Sequence, residues 1–361
     1  MIGAAKQSLD TPALLVELDL LDANIARIAA ACARHGVRWR PHIKGQKIPQ
    51  IVRRELAAGA QGITCAKLGE AEVMADAGID DILVANQVTG AAKIERLMRL
   101  LKRATVTVAV DDAENVATLS TAAQAHGVVL PVVLEIEVGM NRAGVQPGAP
   151  AVALAERVHR SKGLAFQGVM AWEGHTARID DQAEKARKVR EAVALLTGTA
   201  DAIRAAGIPV AIVSCGGTGT YLLSTAIPGV TEIQAGGGVF SDVAYRTQYH
   251  VDHPCALTIL TTVTSRPTPT RIVCDAGKKT MSGDAALPEP IGVGPVAAVR
   301  LSAEHGIVEL KEPTDHPRIG ETLEFVVGYS DTTVHLHEEM YAVRNGRVVE
   351  VWPVLARGKL R

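Results

Sequence analysis

The chain has 361 residues, room for a barrel with an appended module, and its 38 basic side chains almost cancel its 39 acidic ones. That balance excludes the basic stripe of a nucleic-acid binder and the polybasic patch of a membrane-surface protein. Aromatic residues make up only 3% of a chain that is 47% apolar, so the core must be built from Ala, Val, Ile and Leu, as in helix-wrapped parallel sheets.

The opening MIGAAKQSLD (1–10) has no basic-then-apolar leader pattern, and no run of about 18 apolar residues follows. A soluble, cytoplasmic protein is expected. After the strand-like TPALLVELDL (11–20), short β-branched runs alternate with amphipathic stretches. The runs are VRWRP (37–41), GITCA (62–66), DILVANQ (81–87), TVTVAVD (105–111), VVLEIEV (132–138), FQGVMAW (166–172), AIVSCGG (211–217) and TEIQAG (231–236). Helical stretches between them include 21–36, 67–78, 89–104 and 180–207, and several stretches close on a glycine suited to a left-handed cap: Gly36, Gly78, Gly127 and Gly207. Eight such units predict a (β/α)8 TIM barrel over residues 22–250. An open doubly wound sheet competes, but usually uses fewer strands.

From Val251 the rhythm changes to strands without helices: 256–267, 271–277, 306–312, 321–328 and 341–354, the last folded on an Asn-Gly turn. Residues 251–361 therefore read as an all-β domain, which the N-terminal strand segment (1–21) joins. The five cysteines are odd in number and widely spaced, which fits buried thiols in a reducing compartment better than a disulfide framework.

Three motifs carry chemistry. RWRPHIKG (38–45) spaces Arg40, His42 and Lys44 at alternate positions, so on a strand they face one way. SCGGTGTY (214–221) follows strand seven and AGGG (235–238) follows strand eight, the two loops where barrels repeatedly hold phosphate. Glycine loops opposite a lysine suggest a phosphorylated ligand near Lys44. The lysine could be a charge partner, as in a phosphosugar barrel, or a Schiff-base lysine. Spacing alone leaves both open.

PHIK (41–44), EIEVGMNRAGV (135–145), GGTGTY (216–221), TEIQAGGGVFSD (231–242) and DTTVHLHEEMYAVRNGRVVEVWPVLARGK (331–359) resemble, in order and spacing, the D-threonine aldolase and D-serine dehydratase family. These are pyridoxal-phosphate enzymes with the alanine racemase-like fold. The resemblance implies a head-to-tail homodimer, a Schiff base on Lys44, and His42 beside it. It implies Arg142 near the cofactor's phenolic oxygen and a phosphate cradle of Gly217, Thr218, Gly219, Gly236 and Gly237. It also implies a lyase cleaving a β-hydroxy-D-amino acid by retro-aldol chemistry; the alternatives are a D-amino-acid dehydratase or a racemase on the same cofactor. A carrier of pyridoxal phosphate without turnover is a further reading, disfavoured by the long β domain.

The chain departs from the family pattern at the substrate end. A His-x-Asp or His-x-Cys pair usually holds a divalent metal such as Mn or Mg; here Tyr329 takes the histidine's place and Asp331 its partner's. His335 and His337, read as sharing a strand face, could compensate. MAWEGHTAR (170–178) replaces the usual loop after strand six, bringing Trp172, Glu173 and His175. Glu173 and His175 suit a carboxylate-tuned base. The expected catalytic set is Lys44, His42, His175, Glu173 and Tyr329, with Asp331 as the metal-ligand candidate.

Overall fold

Alternating apolar runs and amphipathic stretches become strands and helices in the computed structural model, which describes residues 1–361. The strands are β1 (Ala13–Glu17), β2 (Arg38–Trp39), β3 (Ile63–Cys65), β4 (Asp81–Gln87), β5 (Thr105–Val110), β6 (Leu130–Glu135), β7 (Leu164–Met170), β8 (Ile212–Cys215) and β9 (Glu232–Ile233). There follow β10 (Leu257–Thr268), β11 (Arg271–Cys274), β12 (Glu289–Pro290), β13 (Val296–Leu301), β14 (Gly306–Leu310), β15 (Thr322–Val326), β16 (Glu339–Arg344) and β17 (Arg347–Pro353). They fall into two units by their contacts.

One unit comprises residues 27–44, 51–236 and 358–361. Its eight strands run in the order β2-β9-β8-β7-β6-β5-β4-β3, all parallel. The end strands meet through a bridge between His42 and Thr64, and the Thr64 N–H donates to the Pro41 carbonyl at 2.8 Å. The ring therefore closes as the expected barrel. Leu83, Ala109, Val133 and Met170, one from each of β4 to β7, pack together in its core. Parallel neighbours require long crossovers, and amphipathic helices such as Ala113–His126 and Gln182–Ala205 supply them. Ala113–His126 shows why its sequence starts and stops there. Asp112 accepts the N–H groups of Glu114 and Asn115, and Gly127 at φ 63° ends the helix in the left-handed region. Gly36, Gly78 and Gly207 also have positive φ. Between β8 and β9 the helix shrinks to Tyr221–Ser224, because the glycine-rich SCGGTGTY segment occupies the connection.

The other unit comprises residues 1–26, 45–50 and 237–357. Its sheet runs β13-β14-β11-β10-β1-β16-β17, with β15 on β10 and β12 on β15. The N-terminal strand β1 sits inside this sheet, antiparallel to β10 and parallel to β16. Leu15, Leu260, Val343 and Val348 bury a common face around it. Asn345 and Gly346 turn β16 into β17 with φ 50° and 70°, as the Asn-Gly signal requires. Strands β12 and β13 were not expected. No residue of β13 is fully buried, and it pairs only with β14, so its sequence carries no apolar alternation. No helix is long and apolar enough to cross a membrane, and all five cysteines are free thiols.

Candidate functional site

The strand expected to present Arg40, His42 and Lys44 together ends at Trp39. Proline at position 41 removes a ladder donor, and the chain turns through the short 3-10 segment Ile43–Gly45, which carries Lys44. Arg40 is accordingly separated from the lysine. Its guanidinium is buried, with Nε donating to Glu232 Oε2 at 2.9 Å and Nη1 to Asp81 Oδ1 at 2.7 Å. Arg40 braces the barrel and is not part of a cation cluster. His42 and Lys44 stay together: the Lys44 N–H points at His42 Nδ1, 3.4 Å away.

Three adjacent strands, β2, β9 and β8, deliver Lys44, Gly236 and the segment Gly217-Thr218-Gly219 at their C-terminal ends. Gly236 lies so close to the His42 backbone that a Cβ would collide with the His42 carbonyl. A Cβ on Gly217 would stand 2.7 Å from the Trp172 indole nitrogen. Gly237 opens the turn Gly237–Val239, and a Cβ there would strike the Tyr245 hydroxyl. These glycines are required by close approach. A bare backbone at the ends of β8 and β9, next to a lysine just beyond the neighbouring strand β2, fits a ligand carrying a phosphate and a carbonyl.

The loop after β6 brings Arg142 to the same end of the barrel. The Glu137 carboxylate folds this loop: burial pushes it up, but the N–H groups of Gly139, Asn141, Arg142 and Met140 outweigh that and hold it below its ordinary value. Arg142 lies 5.4 Å from the Trp172 ring centroid, and its Nη2 donates to Glu135 Oε1 at 3.3 Å. Glu135 also accepts from Gln87 at 2.7 Å. Trp172 thus touches both the arginine and the glycine loop, a junction that its isolated position in the sequence did not signal.

Glu173 and His175 do not form the expected pair. Glu173 is buried, and its carboxylate accepts the Gly216 N–H at 3.2 Å, the Thr220 hydroxyl at 2.7 Å and the Ser224 hydroxyl at 2.6 Å. It anchors the segment around Gly217. His175 is exposed in the short turn Gly174–Thr176, with its ring against the Cα of Gly139.

The residues around Tyr329 belong to the β unit. The Tyr329 hydroxyl donates to Asp331 Oδ2 at 3.1 Å. Asp331 Oδ1 fills the space where Gly45, the residue after Lys44, would carry a Cβ. Asp242 accepts the Tyr245 N–H at 2.8 Å and the Ser330 N–H at 2.7 Å, so it caps one helix and fixes the backbone between Tyr329 and Asp331. Burial pushes this carboxyl up to about 7; the two N–H groups oppose the shift and the Asp331 charge adds to it. Burial, then the Asp331 charge, likewise raises the Tyr329 phenol, which stays protonated at neutral pH. The role of Asp242 was not foreseen, although an aspartate directly before the helix-forming VAYRT is a legible cap.

No three His, Cys, Asp or Glu side chains converge. His335 and His337 lie in and just after the 3-10 turn Val334–Leu336 and share no strand face. His337 Nε2 bonds the Thr280 carbonyl at 2.9 Å, and His335 lines a separate cavity of about 860 Å3 in the β unit with Lys278 and Arg300.

Residues 16–243 match the family described as alanine racemase, N-terminal domain, and residues 256–343 match the family described as "Putative serine dehydratase domain". The chain is similar to a 3-hydroxy-D-aspartate aldolase of Paracoccus denitrificans (strain Pd 1222), with 37% identity over 99% of this chain and 94% of that one. It is similar to a D-threonine aldolase of Arthrobacter sp, with 35% identity over 97% of this chain and 93% of that one. The crystal structure of D-threonine aldolase from Filomicrobium marinum superposes with a TM-score of 0.97 at 35% identity, covering 100% of this chain and 99% of that one.

Proposed function

Because the chain belongs to the alanine racemase N-terminal domain family, we propose that it is a pyridoxal-phosphate-dependent lyase that cleaves a β-hydroxy-D-amino acid to an amino acid and an aldehyde. The observation that carries this reading is the placement of Lys44, Gly236 and Gly217 at the ends of three neighbouring barrel strands. Pyridoxal phosphate, when bound, draws electrons from the α-carbon of an attached amino acid.

The chain's own residues would hold and orient that group. Lys44 would carry it covalently, and its Nζ would hold or release a proton. The backbone of Gly217, Thr218, Gly219, Gly236 and Gly237 receives the phosphate. Arg142, backed by Glu135 and lying over Trp172, would supply a cation for the phenolic oxygen. His42, whose ring faces the Lys44 N–H, keeps that turn in register. His175 is the exposed group with the freedom to meet substrate, whereas Glu173 is committed to the loop. The reading includes a cytoplasmic location and a head-to-tail homodimer; sedimentation equilibrium tests whether the protein is a dimer.

The deciding experiment is borohydride treatment of protein loaded with pyridoxal phosphate, followed by peptide mapping and assay with D-threonine. Cofactor fixed to the Lys44 peptide, with glycine and acetaldehyde released, supports the reading. Release of ammonia and 2-oxobutyrate makes the protein a dehydratase, and a change of chirality makes it a racemase. Absence of label on Lys44 removes the cofactor assignment altogether.

A further inference from the structure

The glycine-rich connection after β8 uses up most of its own donors. Gly216 spends its N–H on Glu173 at 3.2 Å, and Gly217 donates to the Thr220 hydroxyl at 3.2 Å. The N–H groups of Thr220 and Tyr221 both turn back to the Gly217 carbonyl, at 3.0 and 2.9 Å. Four of the six N–H groups from Gly216 to Tyr221 are therefore committed inside the barrel unit. A phosphate ester presents several strong acceptor oxygens, so a segment that receives it needs donors from elsewhere.

Trp172 stands beside the segment with a donor to spare. Its indole turns the nitrogen edge to Gly217, with Nε1 2.7 Å from the place a Cβ would occupy. Trp39 and Trp352 give their indole N–H groups to Ala235 and Glu350, each at 2.8 Å, whereas the Trp172 N–H has no acceptor in the protein. The ring is also fixed. Its benzo edge lies where Gly174 would carry a Cβ, and the Arg142 guanidinium, tied to Glu135, lies over its face at 5.4 Å. Gly174, Arg142, Glu135 and the glycine-rich segment all belong to the one barrel unit. A donor held this way loses little freedom on meeting a ligand.

We propose that Trp172 is a specificity-determining residue whose indole N–H donates to the phosphate ester of the ligand and makes up for the loop donors spent internally. This rests on the pyridoxal-phosphate reading above. The contact selects the phosphorylated aldehyde over the free one, because only the phosphate brings an acceptor to the end of β8. The ring face has a separate task, the support of Arg142. Trp172→Phe separates the two, since a phenyl ring keeps a face for the cation and has no N–H to give.

The test titrates the full-length chain, freed of cofactor with hydroxylamine, with pyridoxal phosphate and with pyridoxal, and reads uptake by visible absorption. Trp172→Phe should bind pyridoxal phosphate about tenfold or more weakly and bind pyridoxal as wild type does, the loss expected for one hydrogen bond to a charged group. Indole 15N–1H spectra of the wild-type chain give a readout that does not depend on the variant folding. Of the three tryptophan signals, the one exchanging fastest with water belongs to the unbonded Trp172 N–H. It should move downfield with pyridoxal phosphate and stay in place with pyridoxal. Equal weakening of both ligands in Trp172→Phe would show that the ring acts through packing alone and overturns the inference. Unchanged affinity for pyridoxal phosphate in the variant, or an indole signal that answers both ligands alike, overturns it too. Wild-type protein that takes up neither ligand overturns the cofactor reading itself, and this failure is told apart because it appears before any variant is compared.

Discussion

Glu173 holds Gly216 in place: its carboxylate accepts the Gly216 N–H at 3.2 Å from the far side of the glycine-rich connection. Thr220 and Ser224 donate to the same carboxylate, so one buried side chain ties together both ends of the segment that would hold phosphate. An acid fully engaged by three donors is poorly placed to shuttle protons.

Replacing Glu173 should therefore act on binding and stability before chemistry. Glu173→Ala leaves buried donors without partners and is expected to destabilise by about 3–5 kcal/mol, with at least about tenfold weaker uptake of pyridoxal phosphate. Glu173→Gln keeps one acceptor and should fall between. Urea unfolding and cofactor titration check this. Were Glu173 the acid–base group, the alanine variant would load cofactor normally and lose only kcat.

Arg40 presents the opposite case, a cation expected at the ligand and found inside the barrel. Its removal strands Glu232, which is fully buried. Arg40→Ala should cost about 3–5 kcal/mol. The double variant Arg40→Met with Glu232→Gln should recover part of that loss by removing both buried charges. In whatever fraction remains folded, kcat should be near wild type. A variant as stable as wild type would show that the ion pair contributes little.

Gly236→Ala tests the cradle. The added methyl meets the His42 carbonyl, and the neighbouring His42 N–H is held by the Gln234 carbonyl at 3.0 Å, so neither backbone can yield freely. A cost of about 1–3 kcal/mol and a loss of cofactor loading are expected. Gly198, on the helix Gln182–Ala205, is the control: no atom lies within 4 Å of an added Cβ. Gly198→Ala should stabilise by about 0.4–1 kcal/mol. Thermal melts of the two variants should move in opposite directions.

What the sequence revealed and concealed follows from range. Barrel strands and their glycine caps are local patterns, so β2 to β9 and the left-handed ends at Gly36 and Gly127 were legible. The Asn345-Gly346 hairpin was legible for the same reason. Lys44 and the two glycine clusters could be placed at one end of the barrel, because strand order alone brings them there. Side-chain direction could not. Alternation predicts a common face for Arg40 and Lys44 only while the strand continues, and it stops before Pro41. Glu173 and His175 alternate in sequence, yet a turn sends one to the interior and the other to the surface. The partners of Asp242 lie 88 residues apart from it in one case, at Ser330, and no local pattern records such a bond.

Asp242 gives a prediction in pH. Its ordinary value of 3.8 is pushed up to about 7 by burial, against the opposing N–H groups of Tyr245 and Ser330. An acid whose pKa is raised on folding binds its proton more tightly in the native state, so stability falls as pH rises between the two values. At one pKa unit per 1.36 kcal/mol, the contribution lost between about pH 4 and pH 7 approaches 4 kcal/mol. Asp242→Asn cannot ionise and should flatten the slope. Its single carbonyl satisfies only one of the two N–H groups, so the variant should also carry a constant penalty of about 1–3 kcal/mol at every pH. Urea unfolding at half-unit steps from pH 5 to pH 8 measures both effects. If the asparagine variant keeps the wild-type slope, the titrating group lies elsewhere and Asp242 stays ionised in the folded protein.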